Sequence, residues 1–176
     1  MNDINPEKKI AGKLFFLMWL VLLALLSYMF NIILDKQINP NKNPLSSQYA
    51  DGSRELTLNR NRLGHYITSG TINNHEVVFM LDTGATDVSI PESIANQLGL
   101  TRGTAMTYIT ANGNAIVYST TIDSIAIKDI QLENIRATIN PNTDEEIILL
   151  GMSFLKHLEF TQRGDTLTLR QFSTSL

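Results

Sequence analysis

The sequence contains no cysteine among its 176 residues. This excludes disulfide bonds, thiolate metal sites and cysteine nucleophiles, although a chain without cysteine can fold in any compartment. Its three histidines, His65, His75 and His157, lack the spacing of metal ligands, so we expect no metal and no other cofactor. The formal net charge of −3 is small and of the wrong sign for nucleic-acid binding.

Charged residues are also absent from one long apolar stretch near the N-terminus, residues 14–34. Roughly 21 residues in a helix span about 31 Å, which matches the hydrocarbon core of a bilayer. A cleaved signal peptide has a shorter apolar segment and a small-residue cleavage site, and a buried helix normally has a polar face. The stretch has none of these features, so it is predicted to be a single transmembrane anchor.

The lysines that flank the anchor indicate its orientation. Three precede it, within an N-terminal tail of residues 1–13, and two follow it: Lys8, Lys9 and Lys13, then Lys36 and Lys42. The positive-inside bias therefore favours a cytoplasmic N-terminus and an outward-facing C-terminal domain. Residues 35–54 lack apolar periodicity and contain two prolines, which predicts a flexible linker. Residues 55–176 are expected to form the folded domain.

Short strand patterns separated by turn residues dominate this domain. We predict extended segments at residues 56–58, 65–72, 76–81, 108–110, 115–127, 130–139, 147–150, 160–161 and 166–170. Asn73-Asn74 and Asn112-Gly113 supply hairpin turns, because Asn and Gly tolerate positive φ. Short helices are predicted to begin at Ser89-Ile90-Pro91-Glu92 and at Met152. Without βαβ alternation, the pattern is typical of an all-β closed barrel or sandwich.

The most hydrophobic strand of the domain runs directly into an ionisable residue. Val77-Val78-Phe79-Met80-Leu81 is followed by Asp82-Thr83-Gly84-Ala85-Thr86. An apolar run of this length predicts a buried strand, and burial of a carboxylate costs on the order of several kcal/mol unless it is paired or protonated. A strand that ends in this way indicates a functional carboxylate. The alternative is an ordinary turn, since Asp and Gly are favoured turn residues.

Three features follow one another along the chain: the apolar strand with Asp82-Thr83-Gly84, a hairpin centred on Asn112-Gly113, and Ile147-Ile148-Leu149-Leu150-Gly151. Together they resemble the retropepsin-like aspartic proteases. More narrowly, they resemble the bacterial members that place one such domain after an N-terminal membrane helix. The resemblance covers roughly residues 55–170. It implies a retropepsin-like β-barrel that acts as an endopeptidase on peptides or proteins. Its expected location is the inner membrane of a bacterium, with the catalytic domain on the periplasmic side.

The family activates a water molecule between two carboxylates, which share one proton because they cannot both ionise cheaply. This chain has a single Asp-Thr-Gly, and Asp87, Asp123 and Asp165 lack its setting. The resemblance therefore implies a homodimer in which Asp82 of each copy meets the other across a two-fold axis.

The resemblance also assigns roles to the neighbours of Asp82. Thr83 would hydrogen-bond across the dimer axis, and Gly84 would let the substrate backbone approach. Ala85 and Thr86 complete the active-site loop. The flap that closes over the peptide would be formed by four residues: Thr110, Ala111, Asn112 and Gly113.

Two departures distinguish this chain from the viral members of the family. Thr86-Asp87 follow Ala85 where viral members commonly carry two acidic residues, and Met152-Ser153 follow Gly151 in place of Arg-Asp or Arg-Asn. Two other functions fit the same residues. One is a catalytically silent module that keeps the fold for peptide binding or dimerisation. The other is a structural β domain of the envelope, in which Asp82 is only a turn residue.

Overall fold

The computed structural model describes residues 6–110 and 113–173 and divides the chain into two units, Met1–Gln37 and Ile38–Leu176. The first unit is built on helix α1, Pro6–Ile38. Within it, Gly12–Ile38 has a mean hydropathy of 2.3 over its most apolar window, and its side chains are exposed. By length and composition, this segment is sufficient to cross a membrane.

The second unit consists mainly of strands. Its elements in chain order are β1 Leu45–Gln48, β2 Arg54–Asn59, β3 Tyr66–Ile72, β4 His75–Leu81, β5 Val88–Pro91, α2 Glu92–Gln97, β6 Ala105–Thr110, β7 Gly113–Ile127, β8 Ile130–Asn140, β9 Ile148–Leu150, α3 Met152–Leu155, β10 Glu159–Arg163 and β11 Thr166–Gln171. The expected all-β class with short helices is confirmed.

Seven strands form a sheet in the order β3-β4-β9-β5-β8-β7-β6. Strand β3 also pairs with β7, through Thr71 opposite Ala126 and Ile72 opposite Ile125, so the sheet closes into a barrel. The barrel interior is filled by apolar side chains that are fully buried, among them Phe79, Ile90, Ile122, Ile139 and Phe154. Burial of these side chains supplies the main driving force for folding of this unit.

A second sheet of four antiparallel strands has the order β1-β2-β11-β10. Leu56 and Leu58 of β2 are fully buried, as is Leu169 of β11, and they join the core of the barrel. At one edge of this sheet lies β10, all five residues of which are exposed.

The expectation of a flexible linker over residues 35–54 is corrected by the structure. Helix α1 continues to Ile38, and β1 pairs with β2 from Leu45 opposite Thr57 to Gln48 opposite Arg54. Between these elements, the buried Asn41 side chain donates to the carbonyl oxygens of Asn59 and Ile67 at 2.9 and 2.7 Å, and accepts from the Asn59 N–H at 2.7 Å. These hydrogen bonds need no apolar periodicity, so the pattern of residues 35–54 does not predict them.

Local turn signals are confirmed. Asn73 and Asn74 have φ angles of 48° and 66° in the β3–β4 hairpin. The expected start of α2 is corrected, because Val88–Pro91 forms a strand and Pro91 is the N-cap of the helix. Pairing of β5 with β8 outweighs the helix-start signal of proline there.

Candidate active site

Asp82 lies at the first position after strand β4. Its backbone N–H donates to the carbonyl oxygen of Leu150 on β9 at 3.2 Å, which extends the parallel pairing of Leu81 with Leu150. Its carboxylate oxygen Oδ1 accepts a hydrogen bond from the Gly84 N–H at 2.8 Å. The side chain is half-buried, whereas Thr83 and Gly84 are exposed. The loop therefore orients the Asp82 carboxylate and leaves the two following residues accessible.

Gly84 lies in close contact with the Asp82 carboxylate. A Cβ built there would lie 3.2 Å from Oδ1 of Asp82, which is tighter than an ordinary contact. The absence of a side chain at Gly84 thus allows its N–H to approach the Asp82 carboxylate. Ala85 closes the loop, since its N–H donates to the Asp82 carbonyl oxygen at 3.2 Å.

Helix α3 and the end of β9 hold the loop from behind. The N–H groups of Met152 and Ser153 donate to the carbonyl oxygens of Ala85 and Thr86 at 2.8 and 2.9 Å. The Ser153 hydroxyl accepts from the Val88 N–H at 2.9 Å. These bonds satisfy N–H groups at the start of the helix, which have no partner within it. The start of α3 therefore supports the loop through backbone hydrogen bonds, together with Leu150 of β9.

An apolar recess of about 320 Å³ adjoins Asp82 and Thr83. Its other lining residues come from β3, β4, α3 and the second sheet: Tyr66, Leu81, Leu155, Phe160, Gln162, Leu167 and Leu169. The Tyr66 hydroxyl is buried and has no hydrogen-bond partner within the described part of the chain. The recess thus combines apolar side chains with the polar side chains of Asp82, Thr83 and Gln162.

Strands β6 and β7 form the hairpin that the sequence indicated as a flap. Their register places Thr110 opposite Gly113. The flap residues Ala111 and Asn112 themselves lie outside the described residues. Ile109 and Ile116 are 89% and 57% exposed. The hairpin therefore presents apolar side chains to the surroundings.

Asp87, five positions after Asp82, has a role that sequence reasoning missed. Its side chain is 1% exposed, and Oδ1 accepts a hydrogen bond from Nε of Arg136 at 2.7 Å and forms an ion pair with Nη2, also at 2.7 Å. The Tyr108 hydroxyl of β6 donates to Oδ2. Parallel pairing of Val88 with Ala137 places Asp87 beside Arg136. The residues are 21 and 49 positions from Asp87 along the chain, so no local pattern reveals the contact.

The electrostatics of this cluster are consistent with its geometry. Burial, followed by the hydrogen bond to Asp87, raises the pKa of Tyr108 to about 12. The hydrogen bond to Asp87 also raises the pKa of Arg136. Tyr108 thus remains a proton donor, and Arg136 a cation, throughout the physiological range.

The other carboxylates considered for a catalytic pair lie in different settings. Asp165 pairs with Arg60 at the β10–β11 turn, and Asp123 is exposed on β7. Within residues 6–110 and 113–173, no group of three or more His, Asp or Glu side chains is arranged to hold a metal ion. The described site is therefore built around the carboxylate of Asp82, with its supporting loop, recess and hairpin.

A closed barrel with an Asp-Thr-Gly loop backed by an apolar strand and glycine defines the retropepsin-like aspartic proteases. The family described as "gag-polyprotein putative aspartyl protease" matches residues 68–157, and the chain belongs to this family. A crystal structure of a retropepsin-like aspartic protease from Rickettsia conorii is similar, with 31% identity and a TM-score of 0.59, over 73% of this chain and 96% of that one.

Two curated relatives are similar in sequence. An uncharacterized protein of Sinorhizobium sp., encoded in the cobV 5′ region, is 34% identical over 125 residues, which cover 69% of this chain and 54% of the relative. An uncharacterized protein of Rickettsia prowazekii (strain Madrid E) is 31% identical over 108 residues, which cover 60% and 46%. The chain thus spans about half the length of the curated relatives it matches.

Proposed function

We propose that this protein is a membrane-anchored aspartic endopeptidase that hydrolyses peptide bonds with a water molecule activated by Asp82 from two copies of the chain. The observation that carries the proposal is the loop after β4. Its Gly84 N–H donates to the Asp82 carboxylate, and its Thr83 and Gly84 are exposed. A turn residue with no function gives no reason to hold a half-buried carboxylate beside an apolar recess.

The proposed chemistry needs a second carboxylate close to Asp82. Two such groups share one proton, so that one acts as a base toward water and the other, protonated, polarises the scissile carbonyl. The pair titrates as a unit, and we expect activity to be favoured below neutral pH. Asp87 does not supply the second group, because Arg136 and Tyr108 occupy both of its oxygens. We therefore assign it to Asp82 of a second copy.

The surface beside Asp82 supports this pairing. Strand β10 is an edge strand with five exposed residues, and an unpaired edge is a template for pairing with another chain. Two of its residues, Phe160 and Gln162, line the recess that also contains Asp82 and Thr83. Phe160 is 40% exposed. We place the two-fold axis here, where pairing of two β10 strands would bring the Asp82 loops together and cover apolar surface.

The proposed substrate is a peptide or protein in extended conformation. Ile109 and Ile116 of the hairpin are exposed and offer apolar contacts to side chains of such a peptide. In this proposal the four residues from Thr110 to Gly113 close over the peptide as a flap and exclude water from the site. Thr83 braces the two Asp82 loops across the axis.

Helix α1 is proposed as the single membrane anchor. The Gly12–Ile38 segment has the required length and hydropathy. The excess of lysines before it favours a cytoplasmic N-terminus, which places the protease domain on the periplasmic side of a bacterial inner membrane. Tethering to a membrane raises the local concentration of a second copy and so favours the dimer.

The test uses the full-length chain purified in detergent micelles and incubated with a denatured protein substrate. New peptide termini are quantified by mass spectrometry between pH 4 and pH 8. Asp82→Asn keeps the shape of the side chain but removes its charge, and we expect cleavage to fall at least about 1,000-fold. Asp123→Asn is the matched control, because Asp123 is an exposed carboxylate on β7, and it should cleave like the unmodified chain.

Unchanged cleavage by Asp82→Asn would overturn the proposal. Binding of substrate peptides without any cleavage by the unmodified chain, at every pH and protein concentration, would instead identify a catalytically silent peptide-binding module. Circular dichroism of each variant shows whether the fold is retained, so that a loss of activity is assigned to chemistry.

A further inference from the structure

The buried carboxylate of Asp87 joins the hairpin to the loop that carries Asp82. Its side chain is almost fully buried, and a buried charge is stable only when its hydrogen-bonding capacity is met. Arg136 satisfies Oδ1 with a hydrogen bond from Nε and an ion pair through Nη2, and the Tyr108 hydroxyl satisfies Oδ2. Both oxygens are therefore occupied by side chains of the same domain.

The two partners of Asp87 lie on strands that differ in how they are paired within the sheet. Arg136 lies on β8, which is paired on both sides in the barrel sheet, and its side chain is 66% exposed. Tyr108 lies on β6, the edge strand of the seven-stranded order, which pairs with β7. A hydrogen bond to a charged acceptor is about twice as strong as one between neutral groups. The Tyr108–Asp87 bond thus restrains a strand that is otherwise held along one side.

We propose that Tyr108 is a positioning residue, which latches strand β6 to Asp87 and sets the position of the hairpin over a bound peptide. This inference rests on the proposed function of the Asp82 site. Asp87 acts through Tyr108 and contacts no substrate, because its oxygens are already used. Arg136 keeps Asp87 compensated, so removal of the Tyr108 hydroxyl alone opens the latch without leaving a buried unpaired charge.

The first test measures hydrogen–deuterium exchange of backbone amides in Ala105–Thr110, using the full-length chain in detergent micelles. Tyr108→Phe removes only the donor, and we expect these amides to exchange about tenfold faster. Tyr118→Phe is the matched control on the neighbouring strand: its ring remains available to the Arg102 guanidinium, 4.5 Å from the ring centroid. It should exchange like the unmodified chain. Equal exchange in Tyr108→Phe and the control would overturn the latch.

A second variant, Asp87→Leu, tests whether the effect of Tyr108→Phe on exchange depends on the hydrogen bond to Asp87. Asp87→Leu removes the acceptor, and its exposed partner Arg136 can be solvated. Adding Tyr108→Phe to Asp87→Leu should then produce no further increase in exchange, because the bond is already absent. An additional increase of the same size as in the unmodified background would mean that Tyr108 acts without Asp87, which contradicts the proposal.

Kinetics of peptide cleavage test the positioning role. We expect Tyr108→Phe to raise KM about fivefold to tenfold, to change kcat less than about twofold, and to leave the pH profile unchanged, since the Asp82 pair is intact. Faster exchange with an unchanged KM would overturn the positioning role. If the unmodified chain cleaves nothing, the proposed function fails, and the exchange experiment still decides whether the latch exists.

Discussion

Gly151 packs directly against the backbone of Asp87: a Cβ at position 151 would lie 2.3 Å from the Asp87 carbonyl oxygen and 2.7 Å from that of Ala85. The backbone of Gly151, with φ −88° and ψ −170°, is accessible to any residue. Glycine is therefore required here for space and not for conformation. This contact fixes the distance between the end of β9 and the loop that begins with Asp82.

Gly151→Ala should destabilise the domain by about 2–3 kcal/mol, the upper part of the range for overpacking, because both contacting atoms belong to the backbone. Chemical denaturation of the full-length chain in micelles measures the loss. Gly164→Ala is the control: its φ of 58° introduces a strain of about 1 kcal/mol, and a Cβ there meets nothing within 4 Å. Equal losses for the two variants would contradict the packing argument.

Gly84→Ala tests the approach of the loop backbone to the Asp82 carboxylate. A Cβ at 3.2 Å from Oδ1 should displace that oxygen by a few tenths of an ångström. We expect cleavage to fall at least about tenfold, because catalysis depends on geometry at this scale, while the thermal midpoint changes little. Gly12→Ala adds the same methyl group in open space within α1, and its cleavage rate should equal that of the unmodified chain.

Asn41→Ala should cost about 2–4 kcal/mol of unfolding free energy. The side chain is buried and makes three hydrogen bonds with the backbone of Asn59 and Ile67, which would be left unpaired. Asn43→Ala, two positions further along, changes an exposed side chain and should shift stability by less than about 0.5 kcal/mol. Denaturant titration of both variants separates a structural segment from a flexible linker, for which neither substitution would matter.

Phe160→Asp should weaken the proposed dimer. It places a charge on the exposed edge strand β10 beside the recess at Asp82. We expect the protein concentration that gives half-maximal specific activity to rise at least about tenfold, and sedimentation to detect more monomer. Leu63→Asp changes another exposed apolar side chain, 76% accessible, and should leave this concentration unchanged. Specific activity that stays constant while the protein becomes monomeric would exclude a shared site.

The dependence of the unfolding free energy on alkaline pH tests the pKa of Tyr108. Its pKa is raised from 10.0 to about 12, first by burial and then by the hydrogen bond to Asp87. Below about pH 10, Tyr108 is protonated in both the folded and unfolded states, and its stabilising contribution is fully present. Between about pH 10 and pH 12 only the unfolded state releases the proton, so the free energy of unfolding falls.

Tyr108→Phe removes the part of this decrease in unfolding free energy that comes from deprotonation of Tyr108 in the unfolded state. The decrease in unfolding free energy between about pH 9 and pH 11 should therefore be smaller in Tyr108→Phe than in the unmodified chain or in Tyr118→Phe. Urea titrations at the two pH values measure it. An identical decrease in all three proteins would show that Tyr108 titrates normally in the folded state.

The sequence alone determined the features that depend on neighbouring residues. The apolar run before Asp82 predicted strand β4, and the Asn73-Asn74 pair predicted its hairpin, because side-chain periodicity and tolerance of positive φ are local properties. The order of the Asp82 loop, the hairpin and the Gly151 segment was sufficient to indicate the family. Assignment of catalytic and flap roles remains a prediction.

The pairing of distant strands brings together polar groups whose contacts the sequence does not indicate. Asp87, Tyr108 and Arg136 come together because parallel pairing of β5 with β8 and the path of the hairpin bring them close, and Asn41 joins the domain through backbone groups of β2 and β3. Such contacts depend on the three-dimensional arrangement of strands far apart along the chain. A hydrogen bond between side chains 49 positions apart leaves no periodic signal in the sequence.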